Sequence, residues 1–233
     1  MKRSTLVLLW CAGVAVALGA AAWFIGLPLY AGFVNSTSSA PPSLDPVTPS
    51  EVSSGSPVDI NNLSGEWVAG TGSFAGYRVN EVLRGNDATV TGRTTKVDGL
   101  FTIDEFTLSA ATVTVDVASI STPEPSRDDY FRTSAMETDR FPSATFVLTQ
   151  PVTAQRPEPN SPQEFTATGD LSLHGVTKSV EAQITAALTN DGVQVAGNIP
   201  IVFADFGVQA PNLGFVTVEK SGSVEFRLDL VKK

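Results

Sequence analysis

The stretch Asp170–Val180 reads DLSLHGVTKSV and contains the only histidine of the 233-residue chain. Leu171 and Leu173 alternate with polar residues, and His174 and Gly175 interrupt this alternation before Val180 begins the next apolar face. Alternation with a period of two is typical of a strand that buries one face. We therefore predict a strand, a turn and a second strand, with His174 at the end of the first strand and outside its apolar face.

The same alternation recurs along most of the C-terminal part of the chain. Examples are Ala111–Val117 (ATVTVDV), Val180–Leu188 and Val224–Leu230, and turn-forming pairs such as Asp98-Gly99 separate the runs. Half-buried antiparallel strands produce this pattern, and Asp-Gly between two such runs is a strong hairpin signal. Closing the sheet removes its exposed edges. The sequence therefore predicts an all-β fold, an antiparallel β-barrel of about eight strands.

One segment, Ser126–Asp139 (SRDDYFRTSAMETD), departs from the strand pattern. It begins with Ser126 and carries Asp129 three residues later, which resembles a capping box. Phe131 and Ala135 lie four residues apart and would share one face of a helix. We expect one short helical crossing here, over an end of the barrel.

The N-terminus combines two positive charges with a long apolar run. Lys2 and Arg3 precede an uncharged stretch from Ser4 to Val34, which exceeds the roughly 20 residues needed to cross a bilayer. A cleaved signal peptide, with its shorter apolar core of about 7–15 residues, is the competing interpretation. We predict a transmembrane signal-anchor at 6–34 with residues 1–5 in the cytoplasm, because positive charge stays inside. The protein would then be a single-pass protein of the cell membrane, with its C-terminal domain outside the cytoplasm.

Residues 35–60 are dominated by Ser, Thr and Pro. Such a segment buries too little apolar surface to offset its ordering entropy. We expect a disordered linker at 35–60 and one barrel domain at 61–233.

The charge balance excludes one class of partner. Of 15 basic residues, Lys2 and Arg3 precede the apolar run, which leaves 13 basic against 24 acidic residues outside. Nucleic-acid binding rests on basic patches, so we expect no nucleic-acid partner.

Side chains for metal or catalytic chemistry are scarce. The single cysteine lies within the apolar run, and zinc sites need several His or Cys ligands. A calcium site at Asp128, Asp129, Glu137 and Asp139 is conceivable, but no EF-hand spacing is present. No serine stands in a Gly-x-Ser-x-Gly context, and no pair of the acidic residues is distinguished as a glycosidase pair. We predict no metal, no cofactor and no catalytic residue, with a carboxylate-dependent hydrolase as the remote alternative.

What remains is a large apolar interior. A barrel of about eight strands can be filled by its own side chains or can hold one small apolar ligand. The chain has 13 Phe residues, and aromatic and aliphatic side chains line apolar pockets. The predicted lining consists of Phe101, Ile103, Leu108, Val115, Phe131, Phe146, Leu148, Ile184, Phe203, Phe206, Phe215 and Phe226.

Three motifs, in order, resemble those of the YceI-like family. They are Arg127–Arg132 (RDDYFR) with Phe141–Phe146 (FPSATF), then Thr168–Lys178 (TGDLSLHGVTK), and finally Phe203–Val208 (FADFGV). Many members of that family carry His or Arg at the position of His174. A base or a metal ligand would not tolerate that exchange, whereas a residue that caps a turn would.

The resemblance implies a lipocalin-like barrel around a long apolar tunnel, exported from the cytoplasm, that binds polyisoprenoids or other amphiphilic lipids. We expect the protein to sequester or transport such a lipid near the membrane. Arg127, Arg132 and Lys178 are candidates to hold a charged headgroup. The alternative function is an extracytoplasmic protein-interaction or stress-response module with a filled barrel.

Overall fold

The computed structural model describes residues 27–45, 62–83, 85–158, 161–189, 192–212, 214 and 216–233. It contains eleven strands: β1 Gly65–Ala69, β2 Phe74–Leu83, β3 Asn86–Thr94, β4 Val97–Asp104, β5 Thr107–Asp116, β6 Ser143–Leu148, β7 Val152–Thr153, β8 Gln163–Leu173, β9 Val176–Leu188, β10 Val193–Val202 and β11 Val216–Lys232. Two α-helices are α1 Leu27–Thr37 and α2 Pro125–Tyr130. Short 3₁₀ turns span Val117–Ser119 and Phe203–Phe206, and a π-helical turn spans Phe131–Ala135.

Eight strands form a closed antiparallel ring in the order β1-β4-β5-β6-β8-β9-β10-β11, and β1 pairs again with β11. The hairpin of β2 and β3 extends the sheet from the other part of the long strand β11. Trp67 of β1 is fully buried and lies opposite both Phe101 and Lys232, so the shortest strand of the ring is held by its aromatic side chain. The predicted barrel of about eight strands is confirmed.

The barrel has two different ends. We call the first end the mouth; it consists of the β4–β5 turn and of the described residues that follow β7, precede β8 and flank the β9–β10 connection. The second, closed end carries the His174–Gly175 turn, α2 and the Phe203–Phe206 turn. Buried apolar side chains pack at the closed end, and these are Val117, Ile120, Met136, Leu173 and Phe206.

The predicted helical crossing is confirmed, but its start differs from the expectation. The N-cap is Glu124 and Pro125 follows at the first helical position, while the Ser126 hydroxyl bonds the carboxylate of Glu124. Proline suits that position because the first N–H groups of a helix have no partner within it. The expected cap at Ser126 is therefore wrong. Phe131 and Ala135 do share a face, and both pack against the closed-end core.

The N-terminal segment differs from the expected division into anchor and linker. Helix α1 crosses the predicted boundary between residues 34 and 35, and Val34 is buried against Ala88 and Val90 of β3. No helix in the described part of the chain is long and apolar enough to cross a membrane. Positions 6–26 of the predicted anchor and 46–60 of the predicted linker lie outside the described residues.

Residues 38–45 form a strap along the outside of the barrel, although they belong to the predicted linker. Ser39 N–H donates to the Thr91 hydroxyl at 2.9 Å, and the Ser39 carbonyl accepts from Arg78 at 2.7 Å. At the end of the strap, the Asp45 carboxylate forms a two-point ion pair with Arg227. Sequence composition underestimates the order of this segment because its partners come from distant strands.

Candidate ligand-binding cavity

The inward faces of the strands enclose a cavity. Its wall is built from the alternating positions of β5, β6, β8, β9, β10 and β11, such as Val115, Phe146, Ala167, Ile184 and Phe226. The cavity has a volume of about 230 Å³. Ile184 and Phe226 pack against buried core residues yet remain partly accessible, because they also face this space.

Small residues opposite the aromatic rings shape the wall. A Cβ on Gly169 would lie 2.3 Å from the ring of Phe146, and one on Gly197 would lie 2.8 Å from the ring of Phe226. Contacts this short do not occur, so both rings require glycine at the facing position. Several further wall positions are alanines, among them Ala111, Ala144, Ala167, Ala182 and Ala186. The interior is therefore not filled by its own side chains.

The cavity lies between the packed core of the closed end and the residues of the mouth. Phe206 and Met136 are nearly inaccessible at the closed end. Glu105, Pro157, Ser161 and Gln163 line the cavity at the mouth, and Glu105 and Ser161 are exposed to solvent. A ligand with one apolar and one polar end would therefore place its polar end at the mouth.

Eight of the twelve residues predicted to line a ligand site stand around this cavity. They are Phe101, Ile103, Leu108, Val115, Phe146, Leu148, Ile184 and Phe226. Phe106 and Phe165, from the same set of phenylalanines, line it as well. That these residues hold a ligand stays a prediction.

Three of the predicted lining residues lie elsewhere, and Phe215 is outside the described residues. Phe131 stacks on Tyr77 with ring centroids 5.0 Å apart, and Phe206 is buried in the closed-end core. Phe203 lies in the same 3₁₀ turn as Phe206 and packs near Gly222. Alternation cannot place these three side chains because they belong to helical turns rather than strands.

The three headgroup candidates all lie at the closed end, so none of them reaches the mouth. Arg127 pairs with Glu81 at 3.0 Å, and Arg132 pairs with Asp129 at 2.8 Å. Lys178, near the start of β9, borders a shallow groove on the outer surface. Their motifs carry the family resemblance, and a role for them at a lipid headgroup stays a prediction.

The pair of Glu81 and Arg127 holds the helical crossing on the barrel. Glu81 is 4% exposed, and burial raises the pKa of its carboxyl above the usual value, while Arg127 opposes that shift. Beside them, Asp128 accepts hydrogen bonds from the backbone N–H and the hydroxyl of Thr122 at 2.9 and 2.8 Å. The side chains of Glu81 and Asp128 therefore each have an ion-pair or hydrogen-bond partner within the protein.

His174 has a structural environment. Its φ is +51° and that of Gly175 is +75°, so the two residues form the tight turn between β8 and β9. Its Nδ1 donates to the carbonyl oxygen of Phe206 at 3.1 Å, and the ring packs edge-on against Phe141. The prediction that His174 ends a strand outside the apolar face is confirmed.

In the described part of the chain, no group of three or more His, Cys, Asp or Glu side chains is arranged to hold a metal ion. Of the carboxylates considered for calcium, Asp128 bonds Thr122, Asp129 pairs with Arg132 and Glu137 pairs with Arg140.

A closed antiparallel barrel around an apolar cavity defines the class of lipocalin-like binding proteins. The sequence profile of the YceI-like domain matches residues 68–230. The chain therefore belongs to the YceI-like family.

Two curated relatives match parts of the chain. A UPF0312 protein of Photorhabdus laumondii is 29% identical over 116 residues, which cover 48% of this chain and 55% of the relative. Protein YceI of Escherichia coli O157:H7 is 36% identical over 86 residues, which cover 36% of this chain and 41% of the relative. The chain thus spans about half the length of the curated relatives it matches.

A solved structure shares the fold. It is a polyisoprenoid binding domain from Saccharophagus degradans, with a TM-score of 0.59 and 18% identity, covering 73% of this chain and 99% of that domain. At this identity the likeness supports the barrel topology alone.

Proposed function

We propose that this protein binds an isoprenoid or other amphiphilic lipid, with the apolar chain inside the barrel and the polar end at the mouth. The observation that carries the proposal is the apolar cavity inside the barrel, whose lining includes the solvent-exposed residues Glu105 and Ser161. Burying a methylene group contributes about 0.8 kcal/mol, so a chain several carbons long provides a substantial driving force. The name of the Saccharophagus domain supports the same ligand class.

The proposal includes the cellular setting. The uncharged run from Ser4 to Val34 after Lys2 and Arg3 supports an N-terminal membrane anchor with the barrel outside the cytoplasm. In that setting the protein sequesters or carries a lipid and performs no catalysis. A protein-interaction module with a filled barrel is the weaker alternative, because the interior contains unfilled space.

The test uses the full chain, purified in a mild detergent and measured by native mass spectrometry. We expect one lipid molecule per protein, either copurified or acquired after incubation with geranylgeraniol. Ile184→Glu should abolish retention, because it places a charge against the apolar wall of the cavity.

The matched control is Gln183→Glu, which adds the same charge on the exposed face of the same strand. It should retain the lipid. Wild-type protein that never carries a lipid, or a folded Ile184→Glu variant that still does, would overturn the proposal.

A further inference from the structure

The polar end of the ligand is constrained by the residues at the mouth. Resting on the proposed function, we infer that the cavity selects lipids with a neutral or cationic polar end, such as an alcohol, an amide or an amine, and disfavours diphosphates. Glu105 is the one charged side chain among the described residues that line the cavity. The sign of its charge opposes an anionic headgroup.

Glu105 is held in place by its backbone. It lies in the two-residue turn between β4 and β5 with a φ of +54°, and its N–H donates to the Ser64 hydroxyl at 2.7 Å. Residues other than glycine rarely adopt this conformation. The adjacent Phe106 and the nearby Ile103 both line the cavity. The turn therefore places an acidic residue beside apolar wall residues.

The other polar residues of the lining carry no charge. They are Thr145, Ser161 and Gln163. The side-chain amide of Gln163 forms two hydrogen bonds with the backbone of Gln155. Its oxygen accepts from the Gln155 N–H at 3.1 Å, and its nitrogen donates to the Gln155 carbonyl oxygen at 3.2 Å. A hydroxyl or amine on the ligand can donate to the Glu105 carboxylate, whereas a diphosphate offers acceptors that the carboxylate cannot satisfy.

Recognition of a diphosphate requires clustered cations, and none lines the described part of the cavity. Proteins hold phosphate groups with Arg forks, Lys or bound cations. At the rim, Lys232 bonds Asn62 and Lys233 pairs with Glu66 at 3.0 Å. Arg156 lies outside the lining, with its guanidinium 5.9 Å from the ring of Phe106. Arg127, Arg132 and Lys178 are at the closed end.

Acidic residues also outnumber basic ones around the mouth. Besides Glu105, the elements of this end carry Asp104, Glu158 and Glu164. These charges are near solvent and are screened by salt, so their effect extends over about 10 Å at 0.1 M ionic strength. Glu105 has the dominant effect because it lines the cavity itself.

The experiment compares two ligands with the same apolar chain, geranylgeraniol and geranylgeranyl diphosphate. Equimolar amounts compete for the full chain, and native mass spectrometry gives the ratio of bound diphosphate to bound alcohol. Wild-type protein should retain mainly the alcohol. Glu105→Lys should raise the ratio by about tenfold or more, because it reverses one charge within a few ångströms of the headgroup. Glu105→Gln should fall between the two.

Asp104→Lys is the matched control, since it makes the same charge change at the neighbouring last residue of β4, which is exposed and does not line the cavity. It should change the ratio less than threefold. Equal retention of both ligands by wild-type protein, or equal ratios for Glu105→Lys and Asp104→Lys, would refute the selection. Retention of neither ligand by any variant would instead refute the proposed function.

Discussion

The strap offers a test of whether residues 38–45 are docked or are a free linker. Asp45 ends the described strap, and its carboxylate binds the Arg227 guanidinium at two points. Its backbone N–H donates to the Gln194 side chain at 2.6 Å, and that side chain in turn donates to Asp229. Asp45→Ala removes the ion pair and leaves the backbone bond available.

The expected energetic effect is small, and its size follows from exposure. The Asp45 side chain is 61% exposed, and ion pairs at exposed sites contribute at most about 1 kcal/mol. Arg227 retains a second carboxylate, since Asp229 lies 3.5 Å away, so the substitution leaves no buried charge unpaired. We expect the global free energy of unfolding to fall by no more than about 1 kcal/mol.

Local opening of the strap should respond more visibly than global stability. A change of about 1 kcal/mol raises the open population about fivefold. Hydrogen exchange measured on the full chain should therefore show faster exchange at position 45, by up to about fivefold, and a smaller change at Ser39, whose N–H bonds Thr91.

Lys233→Ala is the control, because it breaks an exposed ion pair with Glu66 that does not contact the strap. Its strap amides should exchange as in wild-type protein. Wild-type strap amides that already exchange at the rate of unstructured peptide would refute the docking, and the sequence-based expectation of a linker would then hold for residues 38–45.

Three further substitutions test the interior, the turn and the helical crossing. Gly169→Ala should destabilise the fold by about 1–3 kcal/mol in chemical denaturation, because its Cβ would collide with Phe146; unchanged stability would contradict the close approach. The His174→Arg variant should fold and retain lipid, with a free energy of unfolding within about 1 kcal/mol of the wild-type value; complete loss of binding would contradict the structural role of His174. Glu81→Gln tests the raised pKa of the Glu81 carboxyl: folding raises that pKa, so the folded state binds the proton more tightly. The stability of wild type relative to this variant should therefore increase as pH falls from neutral towards the unfolded value, and a pH-independent difference would contradict the shift.

Much of the barrel wall could be predicted from alternation alone. Val115 and Ile184 belong to the predicted lining, and the structure places both around the cavity. A strand whose faces differ in polarity has only one favourable orientation in a half-buried sheet. Alternation with a period of two does not apply to helical turns. It therefore cannot place Phe131 and Phe206, which are predicted to line the cavity but pack at the closed end.

By itself, the sequence determined the alternating strands at Val180–Leu188 and Val224–Leu230 and that His174 ends a strand, since these properties are local. It was wrong at Asp98-Gly99, which is predicted as a turn between strands but lies within β4. Only the tertiary structure decided that β1 closes the ring against β11, that Glu105 stands at the mouth while Arg127 stands at the opposite end, and that a Ser- and Pro-rich segment docks on the wall. Each of these depends on residues far apart in the chain, such as Asp45 and Arg227. Their hydrogen bonds and ion pairs offset the ordering entropy only once the barrel brings both partners together.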